Sequence, residues 1–233
     1  MIFDDFFRAV GQLTDPRFRR VLLLGLGLTA GLLAVIYALF AGGLSLLLPD
    51  VITLPLIGEI TWISSLLSWA SLGLMIFFSV FLMVPVASLF MGLFLEDVAD
   101  AVEAKHYPHL PRVPNLPLSE TIRDAISFVG LIVVANLAAL VVYLLTNIGA
   151  PLIFWALNGF LLGREYFQLV AMRRLGREGA KLARKRHAGA IFVAGVLMAV
   201  PLSIPLVNLL VPILGAATFT HLFQRLEGSR LPA

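Results

Sequence analysis

Asp15-Pro16-Arg17-Phe18-Arg19-Arg20 opens a run from Val21 to Leu48 that holds no charged residue over 28 positions. As a helix that run would be about 42 Å long, at ~1.5 Å per residue. A bilayer core of about 30 Å needs about 20 residues, so the run is long enough to span with tilt. Asp15 suits an N-cap, because its carboxylate can accept the free N–H groups of the first turn. Pro16 suits the first helical position, where a missing N–H costs nothing. The three arginines are harder to place, because a helix N-terminus carries partial positive charge that disfavours cations. One reading is topology, with arginines flanking a span on the cytoplasmic side. The other is anion capture, with N–H groups, dipole and guanidinium forks meeting at one oxyanion. The two are compatible.

Working outward, the composition is that of an integral membrane protein: 60% hydrophobic, 13% charged, mean hydropathy +0.97. A soluble domain carries about 25% charged residues. The 233 residues are read as one membrane domain, with no basic n-region or cleavage site marking a signal peptide. There is no cysteine, which excludes disulfides and thiolate metal sites.

Residues 1–14 place Ile2, Phe3, Phe6, Phe7, Val10 and Leu13 at helical spacing, an amphipathic helix for the membrane interface. The first long span covers 16–48. The second covers 60–105: it is uncharged from Ile60 to Leu95, is flanked by Trp62 and Trp69, contains Pro85, and continues into the polar 96–105. Prolines 108, 111, 114 and 117 then predict an extended loop, and Leu118 or Ser119 begins the next helix. The apolar stretches 152–163 and 188–200, of 12 and 13 residues, are too short to cross. Together with the charge-free turns 146–151 and 201–205 they predict two re-entrant hairpins, 119–163 and 188–221. The basic amphipathic segment 164–187 links them. All 17 lysines and arginines fall within 8–20, 105–123, 164–186 and 225–230. Under the positive-inside rule these four segments share the cytoplasmic side. The predicted fold is therefore all-α: two long transmembrane helices, two hemi-penetrating helical hairpins and an N-terminal amphipathic helix.

No Gly-rich phosphate loop is present, so no ATPase is expected within the chain. Glycines 25, 27, 31, 42 and 43 read as helix-packing positions. The acids Glu96, Asp97, Asp100 and Glu103 read as a solvated helix end that pairs with the basic segment, not as a metal site. His187 and His221 stand isolated, and no Ser/His/Asp arrangement marks a hydrolase. Asn136, Asn147 and Asn158 read as interhelical hydrogen bonds, and Asn208, between Pro205 and Pro212, as a residue on a broken helix. The basic run 173–186 can attract anionic headgroups.

Several of these stretches, in order and nearly throughout the chain, resemble the CysZ sulfate permeases of bacterial inner membranes. They are residues 15–20, the tail of the second helix with its prolines, Gly163-Arg164-Glu165-Tyr166-Phe167, and Ile204-Pro205-Leu206-Val207-Asn208-Leu209-Leu210-Val211-Pro212. The resemblance implies two long helices with hemi-penetrating hairpins, assembly into homo-oligomers, and sulfate entry for cysteine synthesis. It implies a multi-pass protein of the inner membrane that is not an enzyme, has no cofactor and binds no nucleic acid. The family's oxyanion turn, Gly-Leu-Arg-Arg-like, carries over onto Arg17, Phe18, Arg19 and Arg20, with Arg17 where glycine is usual and Phe18 where leucine is. Arg164, Glu165 and Asn208 are the candidate pore or packing residues. The alternative is a membrane interaction or lipid-organising protein that grips anionic headgroups through its basic segments.

Overall fold

A computed structural model describes residues 1–47, 52–54, 58–60, 73, 77, 83, 86–87, 90–91, 93–113, 118–145 and 149–230. Helix α1 is Ile2–Gly11 and α2 is Pro16–Leu47. A short antiparallel strand pair follows, β1 Ile52–Leu54 with β2 Gly58–Ile60, with Thr53 opposite Glu59. Then come α3 Leu95–His106, α4 Leu118–Leu145, α5 Ala150–Arg186, α6 Ala188–Leu202, α7 Pro205–Asn208 and α8 Val211–Glu227. The protein is an all-α membrane protein in its class; the strand pair is a minor exception. Trp62, Trp69, Pro85, Pro114, Pro117 and Asn147, with most of the expected second span, lie outside the described residues.

The chain forms two compact units, Leu23–Phe90 and Met1–Leu22 with Met91–Ala233. In the first, α2 turns Leu23, Leu28, Val35, Leu39 and Phe40 outward. That is the surface a lipid solvent would cover. Thr29 donates its hydroxyl to the Gly25 carbonyl one turn back, at 2.7 Å, so no polar group is left unpaired there. Among the described residues, Cβ atoms at Gly27, Gly31, Gly42 and Gly43 would meet no neighbour within 4 Å. The close packing expected at those glycines is found elsewhere.

It is found in the second unit. The apolar half of α5 and the whole of α6 run antiparallel, with Gly163 against Ile191, Gly159 against Val196, and Trp155 Nε1 donating to Ser203 Oγ at 3.2 Å. A Cβ at Gly195 would overlap the Gly159 carbonyl oxygen, and one at Gly163 would lie 2.6 Å from the Ile191 carbonyl oxygen. Gly159 and Gly163 are four apart, so they share one face and let two backbones touch. The two short apolar stretches of the sequence, 152–163 and 188–200, are therefore partners of each other. Residues 149–151 and the 201–205 turn come to the same end of the pair.

Three other features differ from the sequence expectation. Stretch 152–163 runs on without a break into the basic 164–175, and at Gly176, whose φ of 66° any other residue would adopt under strain, the chain turns into a second helical limb that ends at Arg186. The polar tail 96–105 is a helix of its own, since Leu93 and Phe94 form a turn before Leu95. Helix α8, expected as the arm of a hairpin, is buried along almost its whole length. Helices α1, α3, α5 and α6 pack against it, and Phe223 meets Phe167 edge-on at 5.9 Å. A helix enclosed on all sides is a core element.

By length and composition, Pro16–Phe40 and Ile126–Leu145 are apolar enough to cross a membrane. The α5–α6 pair passes the same test only together, as two helices bent by 87°, a broken span or a re-entrant loop. Helix α1 presents Asp5 and Ala9 to the protein and leaves Phe3 and Phe7 outward. Its polar face is held by Arg225, whose Nη2 lies 2.6 Å from Asp5 Oδ2. The aromatic residues Phe3 and Phe7 are left exposed.

Gly195→Ala should destabilise the detergent-solubilised protein by about 1–3 kcal/mol, the usual effect of overpacking. Gly27→Ala should change stability by less than about 1 kcal/mol. Thermal unfolding followed by size-exclusion peak height compares them; equal effects would mean that the α5–α6 contact is loose.

Candidate functional site

Asp15 caps α2 as its sequence position implies. Its Oδ1 accepts the Arg17 N–H at 2.9 Å, and its carbonyl accepts Arg19 N–H at 3.0 Å. Pro16 has no N–H to give. Little backbone donor capacity remains in this turn, so anion recognition there falls on side chains. Phe18 and Val21 are buried and fix the helix's inward face. The Gln12 amide braces the turn, donating to Asp15 Oδ2 and to the Ala101 carbonyl of α3, both at 3.2 Å.

Arg17 lies at one edge of that inward face and lines a cavity of about 380 Å³ with Asp100, Glu103, Tyr107, Arg112 and Arg174. The floor is an ion network between α3 and α5. Arg174 binds Glu103 through both fork nitrogens, at 2.8 Å each, and also reaches the Pro111 carbonyl at 3.3 Å. Arg173 pairs with Asp100 and lies 3.8 Å from Glu103. Gln224 of α8 donates to Glu103 Oε1 at 3.1 Å. The acidic helix end does pair with the basic segment, and it does so in the interior: the side chains of Arg173, Arg174 and Glu103 are 2%, 6% and 9% exposed. Three guanidinium groups against two carboxylates leave the cavity wall with a positive excess.

The arginines of the first turn do not converge. At about 100° per residue, Arg19 points about 160° round the helix from Arg17, and Arg20 about 60°. All three are exposed, and of them Arg17 lines the cavity. Arg112 and Arg174 take the places beside Arg17 that sequence reasoning gave to Arg19 and Arg20. Their approach depends on α3 and α5 packing together, which spacing along the chain does not encode. Asn208 closes the short helix α7, its N–H donating to the Ile204 carbonyl at 2.8 Å. Arg164 and Glu165 belong to a different cavity, between α4 and α5. Asn136 and Asn158 donate to carbonyls of their own helices, Ile132 and Phe154, not across helices. Among the described residues no group of three or more His, Asp or Glu is placed to hold a metal ion.

His221, isolated in sequence, is buried in α8 beside Tyr107 of the cavity's rim and its chain neighbour His106. Tyr107 Oη lies 2.9 Å from its Nδ1, and the His106 ring 4.8 Å away. Burial first, then His106 and Arg8, push its pKa down to about 4. The neutral ring is thus the folded form. Between pH 6.5 and 4 the unfolded chain binds the extra proton, so stability is complete above about 6.5 and falls as pH drops toward 4. The loss should approach about 3 kcal/mol. Thermal midpoints across that range should decline in the wild type and flatten in His221→Gln; parallel curves would remove His221 as the cause.

The family model described as Sulfate transporter CysZ/Etoposide-induced protein 2.4 matches residues 5–212. No curated protein matches the chain. The matched stretch takes in most of α1, all of α2 to α7, the two helices apolar enough to span among the described residues, and every residue of the Arg17 cavity. It covers most of the 233 residues. The chain belongs to the sulfate transporter CysZ/etoposide-induced protein 2.4 family.

Proposed function

We propose that this protein admits sulfate across a bacterial inner membrane for cysteine synthesis, as a multi-pass permease or channel with no ATPase of its own and no enzymatic step. The observation that carries the reading is the Arg17 cavity: a solvent-reached space of about 380 Å³ whose wall combines Arg17, Arg112 and Arg174 with the Tyr107 hydroxyl. Sulfate has two charges and four acceptor oxygens, so several forked donors can hold it at once. Arg17 and Arg112 bind the ion in this scheme, while Glu103 holds Arg174 in place. Arg19 and Arg20, exposed on other faces of the same turn, raise the local anion concentration. Phe18 anchors the turn from within. The path lies in a homo-oligomer set among membrane lipids.

Labelled sulfate uptake into proteoliposomes tests this, paired with sulfate binding to the purified protein. Arg17→Ala should weaken binding and uptake about tenfold or more, since a hydrogen bond to a charged partner is worth roughly 1.5–3 kcal/mol. Arg17→Lys should rescue only in part, because it keeps the charge and loses the fork. The Arg19→Ala/Arg20→Ala loss should fade at high salt, where surface fields are screened. Lys105→Ala, an exposed cation removed from α3, should behave as wild type. Uptake no faster than empty vesicles, or a folded Arg17→Ala protein with full uptake, would reject the proposal and favour a lipid-binding role.

A further inference from the structure

The wall of the Arg17 cavity is not made of donors alone. Asp100, Glu103, Ala104 and Tyr107 line it, at i, i+3, i+4 and i+7 along α3 and its C-cap, so they share one face. Two of these residues are acids, and their surroundings differ. The Glu103 side chain is 9% exposed, and its two oxygens are taken up by both fork nitrogens of Arg174 and by the Gln224 amide. The Asp100 side chain is 43% exposed, and its Oδ1 pairs with the Arg173 guanidinium. Arg173 is 2% exposed, so it reaches Asp100 from the protein interior. The other oxygen, Oδ2, is left on the cavity side, with no partner among the described residues.

An ionised carboxylate only accepts hydrogen bonds. Set in the same wall as Arg17 and Arg112, it calls for a ligand that accepts from the arginines and donates to the acid. A tetrahedral oxyanion that keeps one proton does both. Hydrogenphosphate carries such an O–H at neutral pH, whereas sulfate is fully ionised and carries none. Toward sulfate, Oδ2 sets acceptor against acceptor and charge against like charge. Toward hydrogenphosphate it closes an O–H···O⁻ bond, which is short and among the stronger kinds.

We propose that Asp100 is the specificity-determining residue of this cavity: its free carboxylate oxygen accepts the O–H of a proton-bearing tetrahedral oxyanion, such as hydrogenphosphate, and so admits that class beside sulfate. This role presupposes that the Arg17 cavity is the anion site. The guanidinium groups attract either anion, and the acid decides between them. Glu103 cannot share the task, because its oxygens are already engaged by Arg174 and Gln224.

The test uses the full chain in neutral detergent. Sulfate, phosphate and monofluorophosphate are titrated by calorimetry at neutral pH and fixed ionic strength. Monofluorophosphate is phosphate with its O–H replaced by fluorine, a tetrahedral dianion with no proton to donate. Wild type should bind phosphate about tenfold or more tightly than monofluorophosphate, the usual effect of one hydrogen bond to a charged group. Asp100→Asn keeps a carbonyl oxygen for Arg173 and turns an N–H donor toward the cavity. It should close that gap and bind sulfate more tightly than wild type. Asp97→Asn removes the same charge from an exposed position of α3 outside the cavity, and should leave the gap as it is. Arg17→Ala should weaken all three anions together, which tests the cavity and not the acid. Equal binding of phosphate and monofluorophosphate by wild type would overturn the role of Asp100, and that comparison needs no variant to fold. A gap that survives in Asp100→Asn, or that Asp97→Asn closes as well, would overturn it too. Wild type that binds none of the three, or a folded Arg17→Ala protein that binds all three as wild type does, would remove the anion site itself and the role of Asp100 with it.

Discussion

Arg173 and Arg174 are neighbours on α5, buried against Asp100 and Glu103 of α3. The rest of the second unit depends on that meeting. Removing a charge from water costs several kcal/mol, and only close geometry with further hydrogen bonds repays it. Both conditions hold for Glu103. Its carboxylate takes both fork nitrogens of Arg174 and the Gln224 amide, so α3, α5 and the central α8 are tied at one residue. The network is a poor source of net stability, since a well-packed apolar replacement would serve as well or better. Its value lies in position. It sets the floor beneath Arg17, and it fixes the Pro111 carbonyl through the same guanidinium.

Around this polar centre the chain solves a different problem, that of packing helices in a solvent as apolar as they are. Between such helices hydrophobic burial gives no drive, so close backbone approach must. Gly159, Gly163 and Gly195 provide it between α5 and α6, and Gly215 lets the Tyr166 ring lie against α8. Farther out, Arg186 and His187 both reach Glu227 Oε1, at 2.8 and 2.7 Å, and pin the α5–α6 corner to the end of α8. With Asp5 and Arg225, these pairs hold the polar rim of the unit.

Much of this could be read in the chain because it is written in composition and caps. The charge-free run after Arg20, the Asp15 cap and the pairing of acidic α3 with basic α5 all follow from local chemistry. The continuity of the first limb of α5 through Arg164 could not be read. Its first half is apolar and its second basic, and the polarity change at Arg164 imitates a boundary. The partners of Gly195 and His221 are long-range, and nothing near them in sequence names Gly159 or Tyr107. Within the arginine turn, side chains adjacent in sequence point about 100° apart on a helix, so spacing alone does not show which of them share a cavity. Arg17 finds its companions in Arg112 and Arg174, far along the chain.

The central claim is that the buried Glu103–Arg174 pair holds the Arg17 cavity in shape. A double-mutant cycle with Glu103→Gln and Arg174→Met, read in unfolding free energy and in sulfate affinity, tests it most directly. The account predicts that either single variant destabilises strongly, by about 3–5 kcal/mol for an orphaned buried charge, and that the double variant recovers part of the loss. The coupling should exceed about 1 kcal/mol, and sulfate affinity should fall in both single variants. Additive effects within about 0.5 kcal/mol, or single variants that bind sulfate as the wild type does, would contradict it.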